Sequence, residues 1–77
     1  MPRYFFDLDD HERQIDDEGT ELTGDAEARV QAIVYAGSLM RDEPDLLWDG
    51  RQLSVRVYSA TREPVMMVHI RAEDCTA

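Results

Sequence analysis

A chain of 77 residues with 17 acids, eight arginines, no lysine and one cysteine is one small domain rather than two. The lone Cys75 excludes a disulfide within the chain, and two histidines are too few for a zinc site drawn from one chain. A formal charge of −9 sets the surface against nucleic-acid phosphates and anionic lipid at long range. So short a chain buries only about 60% of its unfolded surface, which makes a partner chain the expected further source of stability.

The opening MPRYFFDLDD lacks the basic start and apolar run of a signal peptide. No stretch approaches the roughly 20 apolar residues of a membrane span. The expected address is the cytoplasm. Arg3 to Leu8 is aromatic-rich and free of breakers, and predicts a first strand.

Next comes an acidic stretch, Asp7 to Gly19, with seven acids in thirteen positions. Counted from Asp7, it places Asp9 and Glu18 at ligand positions of a calcium loop. The glycine that such a loop needs at its sixth position is replaced by Glu12, and His11 stands at the fifth. The expected role is a solvated hairpin loop whose charges discourage edge-to-edge sheet pairing. Metal ligands are not assigned, although loose cation binding by the acidic loop Asp7–Glu18 gives a calcium-responsive protein as one alternative. A short second strand is expected at Arg13 to Asp16, hairpinned onto the first.

Residues 25–42 carry the strongest helical signal. Thr23 or Asp25 suits the cap, Asp25 and Glu27 the positive end of the dipole, Arg41 the negative end, and Pro44 stops the helix. The connector contains Asp49-Gly50 as a turn pair and Trp48 as a lid on the core. Arg51 to Ser59 alternates strictly, a four-residue turn follows, and Pro64 to Ala72 is the last strand. The prediction is an α+β domain over residues 1–72, with an antiparallel sheet of three to four strands, one helix on one face, and the order β-β-α-β-β. Residues 73–77 form a frayed tail.

Strand parity assigns the faces. Tyr4, Phe6, Leu8, Leu53, Val55, Val57, Met66, Val68 and Ile70 are expected inward. Outward stand Arg3, Phe5, Arg56, Tyr58, Val65, Met67, His69 and Arg71. Arginines among aromatic rings on a sheet are how several small domains bind single-stranded nucleic acid, by stacking. Arg3, Phe5, Arg56, Tyr58, His69 and Arg71 are therefore an alternative nucleic-acid face. The glycine–aromatic signature of RNA-binding sheets is absent, and cross-strand pairing or cover by a second copy competes with that reading.

Around the helix, Ala26, Val30, Ile33, Gly37 and Met40 form one apolar stripe and Ala28, Ala32, Tyr35, Ala36 and Leu39 another. A helix covering one small sheet needs a stripe of little over 100°, and this one offers about twice that. The surplus, assigned to Ala28, Ala32, Tyr35, Ala36 and Leu39, predicts a homodimer interface. No phosphate-binding glycine loop, nucleophile elbow or pocketed carboxylate pair occurs. The expectation is a protein without catalytic residues or cofactor, acting as a homodimerising interaction module.

MPRYFFDLDD, DDEGTEL and WDGR together resemble a widespread family of small bacterial proteins of unknown function. Its members open with Met-Pro-x-Tyr-aromatic-Phe and carry an Asp-Glu-Glu-Gly-x-Glu-Leu segment. The resemblance covers nearly the whole chain and implies a stand-alone small domain without an assigned reaction. Two departures stand out: Asp17-Glu18 replaces two glutamates, and the last turn reads TREPV, with Arg62-Glu63 where a glycine is expected.

Overall fold

A computed structural model describes residues 1–10 and 12–75, with the backbone alone at Asp49. Its elements are β1 (Arg3–Asp9), β2 (Arg13–Gln14), β3 (Thr20–Glu21), α1 (Asp25–Asp42), a 3-10 turn (Trp48–Gly50), β4 (Gln52–Tyr58) and β5 (Pro64–Arg71). The fold is α+β, with one helix on an antiparallel five-stranded sheet. The sheet is larger than the three to four strands expected, because Thr20–Glu21 adds a strand and makes the order β-β-β-α-β-β. Of the tail, Glu73 to Cys75 are exposed and without regular structure, while Thr76 and Ala77 lie outside the described residues.

The long strands pair as β1-β4-β5, and both short ones lie along the other edge of β1. Leu8 faces Gln14 in β2, and Arg3 faces Glu21 in β3. That edge is thus one strand interrupted by residues 15–19. Since β3 and β4 both run antiparallel to β1, they are parallel to each other with β1 between them, and α1 makes the crossover.

Parity holds on β1 and β4: Tyr4, Leu8, Leu53, Val55 and Val57 are buried, and Phe6 packs against them. On β5, Met66, Val68 and Ile70 pack inward as expected, but Val65 joins them. A register shift at Val57/Tyr58 puts Val57 opposite Met66 and Tyr58 opposite Pro64. The strand thereby gains one residue, and the bulge turns Val65 from the outer face to the core.

The helix spans the predicted residues but is rotated from the expected orientation. Ala28, Ala32 and Ala36 are fully buried against the sheet, and Tyr35, Leu39 and Met40 pack beside them. Val30, Ile33 and Val34 are 59%, 58% and 54% exposed. The sheet supplies the bulk in this core, through tyrosine, leucines and valines. A smooth alanine stripe lets the helix backbone come close to them, whereas larger aliphatics there would overfill the layer.

One contact at the start of α1 ties the helix to the sheet in that orientation. Tyr4 Oη donates to Asp25 Oδ1 at 2.6 Å, tying β1 to the first turn. This bond raises the Tyr4 phenol above its ordinary value of 10.0, with burial and the Asp25 charge adding to it. The expected caps act differently: Gly24 is the N-cap and no side chain caps it. Glu27 Oε1 instead accepts from Thr23 N and Oγ1 at 2.8 and 3.3 Å, the return half of a capping box displaced by one residue.

Candidate functional site

The outer sheet face is organised by a residue that sequence reasoning treated only as part of a turn. Arg62, in the β4–β5 turn, has φ 63°, the left-handed region that favours glycine. Its guanidinium reaches back across the sheet. Nη1 donates to both carboxylate oxygens of Asp7 at 3.1 Å, and Nη2 donates to the Asp16 carbonyl at 2.8 Å. The same group lies 4.7 Å from the Phe5 ring centroid and 5.1 Å from that of Tyr58, within cation–π range. The signal in the sequence was the arginine standing where a glycine was expected.

Asp7, in the middle of β1, is only 4% exposed. A buried carboxylate requires a counter-charge and hydrogen bonds, and Arg62 together with the Asp16 N–H, which donates to Asp7 Oδ1 at 3.0 Å, supplies them. Asp16 is the second hub. Its Oδ2 accepts from Phe6 N–H at 3.1 Å, while Oδ1 accepts from Glu18 and Gly19 N–H at 3.1 and 3.0 Å. Its carboxylate therefore stands in for the missing ladder carbonyl at the break between β2 and β3. Partial burial opposes its ionisation, but the N–H donors of Gly19, Phe6 and Glu18 and the Arg62 charge outweigh this and hold it below 3.8.

Gly19 closes the same turn at φ 75°. A Cβ there would stand 2.8 Å from Arg3 Cγ, 3.0 Å from Phe5 Cε1 and 3.0 Å from the Tyr4 carbonyl oxygen. Backbone and ring cannot all yield. Gly19→Ala is expected to destabilise the fold by about 2 kcal/mol, from the positive φ and the crowding together. Thermal melting would register this as a drop of about 10 °C.

The six residues of the alternative nucleic-acid face are spread over β1, β4 and β5, but each has an internal partner. Phe5 and Tyr58 lie under Arg62. Arg3 donates to the Glu18 carbonyl and to Glu21, Arg56 stands 3.7 Å from Asp9, and Arg71 pairs with Glu73. His69 Nδ1 bonds the Ser54 hydroxyl at 2.8 Å. Ser54 is itself buried. The Arg56 Nε is buried without a hydrogen-bond partner.

The calcium alternative meets the same obstacle. Asp7 and Asp9, two of its three ligands, bind Arg62 and Arg56, and His11 lies outside the described residues. Among the described residues no group of three His, Cys, Asp or Glu could hold a metal ion.

The assigned interface stripe is corrected by the packing. Ala28, Ala32 and Ala36 are inside the chain's own core, with Tyr35 and Leu39 against it, because the sheet already provides the large side chains. The surplus apolar surface lies on the opposite side of α1, at Val30, Ile33 and Val34, with Ala26 and Gly37 exposed along the same line.

A cleft of about 410 Å3 opens between α1 and the loop after β2, lined by Phe6, Leu8, Ile15, Asp16, Gln31 and Tyr35 among others. Burial raises the Tyr35 phenol above 10.0, and the Asp16 and Asp10 charges push it further. Among the described residues no helix is long and apolar enough to cross a membrane.

No curated protein and no solved structure matches the chain. One family model does, over residues 3–71, from the first residue of β1 to the last of β5, so the match spans the whole sheet, the helix and the Asp7–Asp16–Arg62 network. The chain belongs to the family described as domain of unknown function DUF6894.

Proposed function

We propose that the protein is a non-enzymatic interaction module that pairs with a second copy of itself through the outward face of α1. The observation that carries this reading is the exposure of Val30, Ile33 and Val34, each more than half accessible on one side of one helix. Solvent-facing helix surfaces are ordinarily polar, and a helix apolar around most of its circumference is one that becomes buried on both sides. Single exposed aliphatics need no explanation, whereas a contiguous patch points to a partner.

The groups with shifted titration support the non-catalytic half of the proposal. In the cleft beside α1, Tyr35 moves up from 10.0 and Asp16 moves down from 3.8. Both shifts lead away from neutrality, where a general acid or base works best. The outer sheet face favours nucleic acid no better, since its rings are covered by Arg62 and the chain carries −9.

Replacing Val30 and Val34 together by glutamate tests the reading. Sedimentation equilibrium at tens of micromolar is expected to give a mass approaching twice 8.9 kDa for the native chain and 8.9 kDa for the variant. The variant's monomer should lose no more than about 0.5 kcal/mol, as surface substitutions do. A native chain that stays at 8.9 kDa throughout contradicts the proposal.

A further inference from the structure

The exposed stripe of α1 carries charges of opposite sign toward its two ends, Glu27 and Arg41, with Arg29 along its other margin. Glu27 and Arg41 each lie seven residues from Val34, one toward either end of the helix. Seven residues are nearly two turns, about 10.5 Å along the axis and within about 20° of the same side. We infer that two copies pack α1 antiparallel about a two-fold axis at Val34, so that Glu27 of each chain faces Arg41 of the other. The inference rests on the pairing proposed above and adds its direction and register.

Charge decides between the two symmetric ways of pairing one helix with its copy. A parallel pair sets Glu27 beside Glu27 and Arg41 beside Arg41, whereas the antiparallel pair forms two ion pairs and also opposes the helix dipoles. Both side chains have capacity for the contact. Glu27 uses Oε1 on Thr23, which holds the carboxylate at the margin of the stripe and leaves Oε2 for a second donor. Arg41 meets its neighbour Asp42 through Nε alone at 3.4 Å, with the two side chains 77% and 68% exposed. So exposed a pair is weak, and both terminal nitrogens remain for a partner.

Shape agrees with charge. Val34 meets its own copy on the axis, and Val30 comes level with Ser38 of the other chain. Gly37, where a Cβ would have nothing within 4 Å, gives the incoming valine room. A contact limited to two 18-residue helices falls below the roughly 1,200 Å2 of a standard interface, so its dissociation constant should lie in the micromolar range.

Two charge-reversed chains test the register. Glu27→Arg and Arg41→Glu each create two like-charged contacts in a homodimer, and each is expected to weaken self-association about tenfold. Mixed in equal amounts, they restore both ion pairs, and native mass spectrometry should show the heterodimer as the dominant dimer. Glu27→Arg also removes the acceptor for Thr23, so a second measurement leaves Glu27 intact. In a Cys75→Ser background, Val30→Cys and Ser38→Cys chains should be joined by a short bis-maleimide when mixed, and far less when either is alone. Cross-linking of Val30→Cys to itself overturns the antiparallel register in favour of a parallel one. Both charge variants self-associating like the native chain overturns the register while leaving the dimer standing. A native chain that is monomeric at every concentration overturns the inference and the proposal beneath it.

Discussion

Asp16→Ala is expected to lower stability by about 3 kcal/mol at neutral pH, a large share of what a domain this size possesses. The carboxylate receives three backbone N–H donors, from Phe6, Glu18 and Gly19, and hydrogen bonds to a charged group are the stronger kind. Alanine leaves the Phe6 donor unpaired at the break in the edge strand. It also removes the anchor of the turn that brings Thr20–Glu21 back onto β1. Urea titration followed by tryptophan fluorescence measures the loss.

The same residue makes a prediction about acid. Its folded-state value lies below the ordinary 3.8, so its contribution is complete above that value. The contribution fades as the pH falls below 3.8 and is lost once the pH passes the folded-state value. The native chain should therefore lose stability between about pH 4 and more acid conditions, and Asp16→Asn should lose less over the same interval. The asparagine keeps one acceptor for the turn but titrates no proton. An acid limb as steep in Asp16→Asn as in the native chain would remove Asp16 from the account.

The second large effect is at Arg62. Its removal as Arg62→Ala leaves the buried Asp7 carboxylate without its counter-charge, and breaking such a pair from one side costs about 3 kcal/mol. Arg62 itself is partly exposed, with 39% of its side chain accessible against 5% for Asp7. Most of the cost is therefore the stranded carboxylate, and the double variant Arg62→Ala with Asp7→Asn should recover a substantial part of it. Arg62→Gly offers a second comparison. It loses the same ion pair and ring contacts but relieves the φ of 63°, so it should be more stable than Arg62→Ala by about 1 kcal/mol. Equal losses in all three variants would show that the charge pair is not what holds the turn.

Much of this architecture was legible in the residues. The helix runs from Asp25 to Asp42 as its apolar periodicity and Pro44 indicated, and the alternation of Leu53, Val55 and Val57 marked a strand with one buried face. Tyr4-Phe5-Phe6 is apolar on both parities and does not fix its own face; the folded chain puts Tyr4 in the core and Phe5 outside. Val65 was assigned to the wrong face, because a bulge is a mismatch in length between two strands and neither strand carries it alone. The added strand at Thr20–Glu21 is only two residues long, too short for any periodicity.

The sequence by itself determined the acidic charge, the order and extent of the long elements, and the fact that the helix is too apolar for one sheet. Each is a local property, set by composition or by the spacing of side chains along one segment. Only the tertiary structure decided which side of the helix goes inward, because periodicity locates apolar stripes but does not say which of two fits a sheet already filled with large residues. It likewise decided that Asp7 and Asp16 are internal ligands instead of solvated loop charges. Their donor and counter-charge come from Phe6 and Arg62, the latter 55 residues from Asp7 along the chain, and a carboxylate's role follows from what lies within about 3 Å of it in the folded molecule.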